Sequence, residues 1–356
     1  YADVLYNEGK AISKEYLVDA DALIVRTRTL CNKDLLEGTS VRMVATATIG
    51  TDHMDLAWLE QKGIHWCNAP GCNSGSVKQY IASVLAHLIL DGTVPSETTL
   101  GIVGVGMVGS KIESLAKALG FKVLLNDPPR ARREGADKFC SLDYLLSNSD
   151  IVTFHTPLIR QGDDATFHLM DESKLALLKK GAVVINSSRG EVCETRAMLK
   201  GLDNGQISRL VLDVWENEPN IDSKLHNKVW IGTPHIAGYS VDGKSNGYTM
   251  TIHAIAREFG LPLQDWQPTS LPVPDYPFIH LDNNSEPAYL TAAKAILRTY
   301  DILEDDKRLR EDPEDFEKQR GSYPVRREFH IWEITPSRAT RPETIEMLMA
   351  LGFRVK

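Results

Sequence analysis

An apolar run that leads into three closely spaced glycines constrains this chain more than any other stretch. Residues 100–109 read LGIVGVGMVG, in which Gly104, Gly106 and Gly109 keep the G-x-G-x-x-G spacing. Apolar residues recur at helical spacing beyond the last glycine, so we predict a strand, a tight turn and a helix that ends at Gly120. Such a turn lets the backbone approach a pyrophosphate at a helix N-terminus. The stretch therefore predicts a dinucleotide-binding site.

The residues that follow this helix complete a nucleotide-binding unit. FKVLLN, residues 121–126, predicts a second strand that ends at Asp127. An acid at this point accepts a hydrogen bond from a ribose 2′-hydroxyl and repels a 2′-phosphate, so it favours NAD over NADP. The basic cluster RARR follows at residues 130–133. We interpret it as a solvated loop, with a clamp on a cofactor phosphate as the alternative.

The composition narrows the class of protein. A chain of 356 residues is too long for one compact domain, and 42% hydrophobic with 25% charged residues is ordinary for a globular protein. A net charge of -8 argues against a dedicated nucleic-acid-binding protein. The five cysteines form no CxxC pair and no apolar run is long enough to span a membrane, so we expect a reduced, cytoplasmic protein. The chain begins at Tyr1 rather than at a methionine, so a preceding targeting segment stays open.

Polar side chains stand at the carboxyl ends of two strands predicted near the start of the chain. Arg26, Thr27 and Arg28 end or follow the strand DALIVRT, and Thr48 follows the strand VRMVATA. Ligands bind at this edge of open α/β sheets, and a guanidinium pairs with carboxylate or phosphate. The arginines therefore indicate an anionic substrate, with a surface ion pair as the alternative. The aspartates of the next segment, TDHMD, are typical of a helix N-terminus rather than of a metal site.

Buried strands alternate with helices over most of the chain, which predicts doubly wound parallel sheets in an α/β fold. We expect three domains: residues 1–80 with 251–265, residues 81–250 around the glycine turn, and residues 266–356 after a proline-rich linker. The third is expected to be a small α+β domain, for assembly rather than chemistry. Its first element is predicted to be a helix that begins at Ala288, and its charged stretch EDDKRLREDPEDFEKQR is predicted to be solvated.

Two histidines follow predicted strands of the central domain. His155 ends the strand DIVTF, and no neighbour in sequence would orient it as a base, so we expect a structural or cofactor-flanking role. His235 lies in a Pro-His turn after a later strand, and Glu218 lies in the loop after the strand before it. Adjacent parallel strands would bring these two side chains together.

The chain resembles the D-isomer-specific 2-hydroxyacid dehydrogenases in eight segments. They read ATATIGTDHMD, APGCNSGSV, GIVGVGMVG, NDPPR, FHTPL, NSSRGE, LDVWENEP and HIAGYSVDGK, and the similarity covers nearly the whole chain. The likeness is strongest to members that oxidise a small phosphorylated 2-hydroxy acid. The resemblance implies two Rossmann-like domains, a substrate-binding lid at residues 1–80 with 251–265 and an NAD-binding domain at 81–250, and a dimerisation domain at 266–356.

The resemblance implies a catalytic set of Arg189, Glu218 and His235. Oxidation of a 2-hydroxy acid needs a base for the hydroxyl proton, and an imidazole exchanges a proton near neutrality. We expect His235 to be this base, Glu218 to fix its tautomer and Arg189 to bind the substrate carboxylate. In relatives a cysteine often precedes the arginine, where this chain has Ser188. The family's opening strand and helix are expected to precede Tyr1.

The resemblance also implies the residues that contact cofactor and substrate. The expected NAD contacts are Gly104, Gly106, Met107, Val108, Gly109, Asp127, Thr156, Ser187, Ser188, Asp213 and Gly238. The expected substrate contacts are Thr27, Thr48 and Tyr239. From their place at a strand end, we further expect Arg26 and Arg28 to hold a substrate phosphate. The expected partner is a second copy of the chain, in a homodimer, with no nucleic acid, membrane or metal.

Two other interpretations stay open. A phosphoglycerate dehydrogenase would share the catalytic set, but its regulatory C-terminal module usually begins with a strand, whereas residue 288 onward is predicted to begin with a helix. A cofactor-sensing binding protein of the same fold would bind NAD(H) without turnover. The complete catalytic set favours an enzyme.

Overall fold

The computed structural model describes residues 1–282 and 286–356 and divides the chain into two compact units. The first unit comprises Tyr1–Asn73 and Ser240–Pro272, and the second comprises Ser74–Tyr239 and Val273–Lys356. Parallel strands form the sheets of both units. Among the described helices, none has both the length and the apolar character needed to cross a bilayer.

The first unit is built on a three-stranded parallel sheet in the order β1-β2-β3. Its elements are β1 (Ala22–Val25), α1 (Lys33–Leu36), β2 (Met43–Thr46), α2 (Leu56–Gln61), β3 (His65–Cys67) and α10 (Val241–Phe259). Helix α10 packs on the end of β2, where a Cβ at Gly247 would lie 2.6 Å from the carbonyl oxygen of Ala47. The segment TDHMD caps α2 as predicted, because the Asp55 carboxylate accepts a hydrogen bond from the Trp58 N–H at 3.1 Å.

The second unit contains a six-stranded parallel sheet in the order β5-β4-β6-β7-β8-β9. The strands are β4 (Thr99–Val103), β5 (Lys122–Asn126), β6 (Ile151–Phe154), β7 (Ala182–Asn186), β8 (Ile207–Leu212) and β9 (Ile231–Gly232). The chain leaves β4 toward β5 on one side and continues from β6 on the other, which makes this sheet doubly wound. The strand order reverses beside β4, and a ligand crevice forms at the carboxyl ends of strands at such a point. The predicted fold class is confirmed.

Helices cover the six-stranded sheet. They are α3 (Ser74–Leu90), α4 (Met107–Leu119), α5 (Pro128–Glu134), α6 (Leu142–Asn148), α7 (Glu172–Leu175), α8 (Thr195–Asp203) and α9 (Ser223–His226). Helix α4 ends at Gly120 as predicted, because this glycine adopts the left-handed conformation (φ 93°) that closes a helix. Buried Ile112 and Leu115 of α4 pack in one core with Leu85 of α3.

The C-terminal residues add another sheet to the second unit. It has three parallel strands in the order β10-β11-β12. The elements are β10 (Phe278–His280), α11 (Ala288–Thr299), α12 (Ile302–Glu311), α13 (Phe316–Gly321), β11 (Glu333–Thr335), α14 (Pro342–Leu351) and β12 (Arg354–Val355). Helix α11 packs on α3, and α14 packs on α4. Ile296 of α11 and Leu348 of α14 therefore share the hydrophobic core of the glycine-turn sheet.

The compact units differ from the three predicted domains. The predicted boundaries near residues 80 and 250 fall inside α3 and α10. Each of these is a continuous hydrogen-bonded helix that belongs to a single unit. The boundaries lie instead before Ser74 and before Ser240. Residues 273–356 pack into the second unit instead of standing apart, because α11 and α14 bury their apolar faces on it.

Three predictions about local structure are wrong. The RARR cluster is not a loop: it lies in α5, which Asp127 caps by accepting from the Arg130 N–H. The C-terminal region begins with strand β10 rather than with a helix, since three residues flanked by polar and proline-rich sequence give little periodic signal. The charged stretch is not wholly solvated, because Asp305, Asp306 and Phe316 are buried.

The two buried acids of the charged stretch have specific partners. Asp305 Oδ2 accepts hydrogen bonds from the hydroxyls of Tyr300 at 2.6 Å and Tyr323 at 2.7 Å. Asp306 Oδ1 accepts the backbone N–H of Gly232 at 2.7 Å. A buried carboxylate is tolerated where hydrogen bonds replace its water, and the bond of Asp306 connects α12 to strand β9.

Candidate active site

The three glycines of the turn after β4 meet different surroundings. A Cβ at Gly104 would lie 2.7 Å from the carbonyl oxygen of His155, and one at Gly109 would lie 2.0 Å from the oxygen of Gly104. A Cβ at Gly106 would meet no described atom within 4 Å, although this residue forms the N-terminus of α4. The first and third glycines are thus required by the protein's own backbone, whereas the second faces open space. An anion is favoured there by the helix dipole and the unpaired N–H groups.

Asp127, the predicted ribose ligand, connects the second strand to the glycine turn. Its Oδ2 accepts the Val105 N–H at 2.8 Å, and its Oδ1 accepts the Arg130 N–H at 2.9 Å. A carboxylate has about four acceptor positions, so both oxygens retain a position for a ribose hydroxyl. The nearby guanidiniums pair with acids, Arg130 with Glu134 of the same helix and Arg132 with an aspartate after β6.

Two buried hydroxyls mark the ends of β6, which lies beside β4, and of β7, the next strand in the sheet. Thr156 Oγ1 follows β6, Ser187 Oγ follows β7, and neither has a hydrogen-bond partner within residues 1–282 and 286–356. A buried hydroxyl without a partner is costly, so these positions suit a polar ligand that supplies one. The turn, the acid and these hydroxyls together fit a nicotinamide dinucleotide. Ser188 differs, because its hydroxyl donates to Asn186 Oδ1 at 2.8 Å and points into the protein.

His155 is held in a neutral, structural environment. Burial lowers the pKa of its imidazole to about 3, and its Nε2 lies 2.9 Å from the Thr153 hydroxyl. A ring that stays neutral at physiological pH is a poor partner for proton exchange near neutrality. Its backbone oxygen contacts the glycine turn, as described for Gly104.

His235 and Glu218 form the pair that the strand order predicts. His235 Nδ1 lies 2.7 Å from Glu218 Oε2, and Glu218 Oε1 accepts the Trp215 N–H at 2.9 Å. Burial opposes ionisation of Glu218, but the imidazole and these hydrogen bonds outweigh it and hold the pKa of the carboxyl below its ordinary value. Since Nδ1 is engaged, Nε2 is the nitrogen that can exchange a proton with a substrate.

The backbone at His235 is strained and is held by Asp213. His235 has a φ of 55°, a conformation that costs a non-glycine residue about 1–3 kcal/mol. Its N–H donates to the Asp213 carbonyl at 2.7 Å. The Asp213 carboxylate accepts from the N–H groups of Ile236 at 2.8 Å and Ala237 at 2.9 Å, and from the Thr233 hydroxyl at 2.7 Å. Sequence reasoning gave Asp213 only a cofactor contact and missed this role in the loop.

Arg189 is positioned by the turn after β7. A Cβ at Gly190 would lie 2.0 Å from backbone atoms of Trp215, so the turn packs against the loop that carries Glu218. Asn186, fully buried at the end of β7, donates through Nδ2 to the Arg189 carbonyl at 2.8 Å. Asn186 was not among the predicted site residues, although a polar residue at the end of the apolar run AVVIN was its signal.

The predicted substrate residues lie in both units. Tyr239 ends the main segment of the second unit, with its ring edge-on to Tyr323 at a centroid distance of 5.8 Å and near the guanidinium of Arg320. The remaining four are in the first unit, three after β1 and one after β2: Arg26, Thr27, Arg28 and Thr48. The Thr48 hydroxyl lies 2.7 Å from that of Thr46. The second unit therefore contains the predicted catalytic set and every predicted NAD contact, including Gly238.

Comparisons with known proteins show the family of this chain. Residues 79–237 match the NAD-binding domain of the D-isomer-specific 2-hydroxyacid dehydrogenases, and residues 270–352 match a domain of unknown function. Erythronate-4-phosphate dehydrogenase of Bacteroides thetaiotaomicron is 48% identical over 93% of this chain and 93% of its own. The enzyme of that name from Klebsiella pneumoniae is 42% identical over 99% of this chain and 93% of its own.

Solved structures show the same fold. D-lactate dehydrogenase from Aquifex aeolicus, solved with NAD and lactic acid, superposes with a TM-score of 0.58 at 26% identity, over 71% of this chain and 87% of its own. Apo D-mandelate dehydrogenase of Rhodotorula graminis gives a TM-score of 0.58 at 25% identity, over 68% of this chain and 83% of its own. The chain therefore belongs to the D-isomer-specific 2-hydroxyacid dehydrogenases and, within that family, to the erythronate-4-phosphate dehydrogenases.

Proposed function

We propose that this enzyme oxidises the C2 hydroxyl of 4-phospho-D-erythronate to give 2-oxo-3-hydroxy-4-phosphobutanoate, with NAD, in the synthesis of pyridoxal 5′-phosphate. The observation that carries the chemistry is the 2.7 Å pair of His235 Nδ1 and Glu218 Oε2. The substrate is supported by the relatives of that name at 42–48% identity over most of the chain. The C-terminal region begins with strand β10, so its first element no longer argues against a phosphoglycerate dehydrogenase. The preference for 4-phospho-D-erythronate over 3-phosphoglycerate therefore rests on the sequence identity to these relatives.

The proposed residues move one proton and stabilise one charge. His235 Nε2 takes the proton of the C2 hydroxyl while the C2 hydrogen leaves as hydride and a carbonyl forms. Glu218 stabilises the imidazolium through Nδ1. Arg189 binds the substrate carboxylate and polarises the developing carbonyl. When bound, NAD supplies the hydride acceptor.

The turn and strand ends described above are proposed to hold the cofactor. The backbone at Gly106 and the N-terminus of α4, where Met107 and Val108 begin the helix, would face the pyrophosphate. Asp127 would bind a ribose, and the orphan hydroxyls of Thr156 and Ser187 would bind polar groups of the nicotinamide half.

For the substrate we propose contacts from Thr27, Thr48 and Tyr239, and a role for Arg26 and Arg28 on the phosphate. A guanidinium binds phosphate through two parallel hydrogen bonds. Arg26→Ala and Arg28→Ala should raise the KM for the phosphorylated substrate, and unchanged KM values in both would refute the assignment.

The first test measures NADH formation with 4-phospho-D-erythronate and, in parallel, with 3-phospho-D-glycerate. We expect turnover of the erythronate alone, and a loss of about 100-fold or more in His235→Ala, because proton transfer by a positioned base contributes roughly that much. His87→Ala is the matched control, since His87 Nε2 pairs with Asp301 at the same 2.7 Å but lies on α3. It should keep wild-type turnover.

Other outcomes would select the alternatives. Preference for 3-phosphoglycerate would keep the family and the mechanism but refute the proposed substrate. If neither compound reacts while NADH still binds, the protein is a cofactor-sensing binding protein instead.

We also propose that two copies assemble through the C-terminal region and that the protein is cytoplasmic. Support for assembly comes from the family resemblance and from large apolar side chains that this region exposes, such as Val273, Tyr276 and Phe278. Phe278 lies on β10, an edge strand of its sheet, and edge strands offer unpaired backbone groups to a partner. The location rests on cysteine usage and remains a prediction.

A further inference from the structure

We infer that Arg326, from the C-terminal region, is a positioning residue for the loop that carries His235. The inference deepens the proposed function and rests on it. It assigns a part in catalysis to a segment that matches only a domain of unknown function. Arg326 acts through the backbone of the loop, and His235 remains the group that meets the substrate.

The backbone of the two residues after His235 is held from opposite sides by opposite charges. On the donor side, the N–H groups of Ile236 and Ala237 point to the Asp213 carboxylate. On the acceptor side, Arg326 Nη2 donates to the Ala237 carbonyl at 2.6 Å and to the Ile236 carbonyl at 3.4 Å. All four residues are buried, and charge-assisted hydrogen bonds are stronger where water is excluded.

Arg326 is itself fixed by two tyrosines of the C-terminal region, Tyr300 after α11 and Tyr323 after α13. Its guanidinium lies 4.5 Å from the ring centroid of Tyr300 and 5.6 Å from that of Tyr323, and Nη1 donates to the Tyr323 hydroxyl at 3.3 Å. Both tyrosine hydroxyls donate to the same oxygen of Asp305. Nη2 also reaches the carbonyl of Ser76 on α3, at 3.5 Å. Arg326 is only 4% exposed, so its side chain is held in one position. Its hydrogen bonds to the loop carbonyls therefore fix the position of the loop as well.

This arrangement matters because the loop is strained where it carries the imidazole. We call Asp213 and Arg326, which hold the loop from its two sides, the clamp. With φ at 55°, His235 would relax toward an ordinary conformation if either of these two side chains were lost. Loss of Arg326 removes the charged donor of the buried Ala237 carbonyl, which favours that relaxation, whereas the Ile236 carbonyl keeps the Tyr239 N–H at 2.8 Å. A shift of about 1 Å in a reacting group costs about 100-fold in rate. The clamp therefore keeps His235 Nε2 in its working position.

The direct test is Arg326→Met, which keeps an unbranched apolar stem. We expect kcat to fall by about 10- to 100-fold with 4-phospho-D-erythronate, because the imidazole is displaced. The dissociation constant for NADH should change less than kcat does, since Gly238 is the only predicted NAD contact in this loop and the glycine turn is elsewhere on the sheet edge. Arg326→Lys keeps the charge and one donor direction, so it should recover part of the lost kcat.

A readout that needs no turnover reports on the same loop. We expect the hydrogen bond between His235 Nδ1 and Glu218 to give a downfield imidazole proton in the NMR spectrum of the substrate-free enzyme. We expect this signal to broaden or shift in Arg326→Met and to return toward its position in Arg326→Lys. If the wild-type enzyme fails to oxidise 4-phospho-D-erythronate, the proposed function fails, but this signal still decides the inference.

Arg310→Met is the matched control. Arg310 lies on α12 in the same region and also donates to a backbone carbonyl, that of Val229 at 3.0 Å. Val229 precedes strand β9, whereas the His235 loop follows that strand. It should lower the melting temperature without changing kcat or the imidazole signal. The inference is overturned if Arg326→Met and Arg326→Lys keep both wild-type kcat and the wild-type signal, or if Arg310→Met reproduces their losses.

Discussion

At the scale of single residues, two histidines on the same sheet edge have opposite chemistry because of their neighbours. His155 is desolvated beside the Thr153 hydroxyl and stays neutral, whereas His235 pairs with a carboxylate at 2.7 Å. Burial without a counter-charge disfavours the protonated form of a ring, whereas a carboxylate at Nδ1 fixes the orientation and the tautomer of a ring. The difference separates a structural histidine from one suited to act as a base.

The environment of His155 predicts a dependence of stability on pH. Its pKa is about 3 in the folded protein, below the ordinary 6.5, so between these values the unfolded chain binds a proton that the folded chain does not. Its contribution is therefore complete above pH 6.5 and declines as the pH falls toward 3, by up to about 1.4 kcal/mol per pH unit. We expect His155→Gln to flatten the decline of the unfolding free energy between pH 6.5 and 5, as measured by urea titration.

A control separates this residue from the other histidines. His280, on β10, is exposed, and His280→Gln should leave the slope of stability against pH unchanged. An equally steep decline in wild type and His155→Gln would contradict the assignment.

The site residues could be predicted from the sequence where they belong to a motif. The residues that contact and position them mostly could not. The pairing of His235 with Glu218 follows from strand order, so it was predictable. The role of Asp213 in the His235 loop was not, because it depends on a left-handed backbone that local sequence does not specify. The contact of Arg326 with Ala237 joins residues far apart in the chain, and no periodic pattern reports such a contact.

At the scale of elements, the turn between β4 and α4 divides its glycines between folding and binding. Gly104 and Gly109 are required because backbone atoms approach where a Cβ would stand, while Gly106 faces open space. The sequence predicted the strand, the turn and the helix, because each has a local signal. It missed helix α5 and strand β10, since a short arginine-rich helix and a three-residue strand show no clear periodicity.

This division predicts opposite results for two alanine substitutions. Gly106→Ala should keep the wild-type melting temperature and weaken NADH binding by about tenfold or more, because the new methyl group occupies the space proposed for the pyrophosphate. Gly109→Ala should destabilise the protein by about 3 kcal/mol, since its Cβ would overlap the carbonyl of Gly104. Thermal denaturation and NADH fluorescence titration measure both. Equal effects on stability would contradict the division.

At the scale of the whole molecule, the C-terminal region is structurally part of the glycine-turn unit. Helices α11 and α14 share its core, and Asp306 holds strand β9 through the Gly232 N–H. The sequence predicted a separate domain because a proline-rich linker and a change of composition precede it. A proline-rich linker and a change of composition indicate where one compact segment ends. They do not indicate which part of the protein the next segment packs against.

The proposed assembly gives a prediction at this scale. Tyr276, 78% exposed beside β10, should contribute to the contact between two copies, and Tyr276→Asp should shift the mass from dimer to monomer in light scattering. Tyr16 is the control, since it is 58% exposed but lies in the first unit, and Tyr16→Asp should leave the dimer intact. A monomeric wild-type protein would refute the proposed assembly.

The shared core of α3, α11 and α14 has a consequence for the order of events during synthesis. The proposed catalytic pair and the glycine turn leave the ribosome before α11, but the apolar surface that α11 and α14 cover stays open until α14 emerges. A nascent chain would therefore hold the proposed catalytic side chains before the hydrophobic core beneath them is complete. Premature termination near the end would yield an unstable polypeptide rather than a smaller working enzyme, and quality-control proteases would encounter it with its hydrophobic helices exposed.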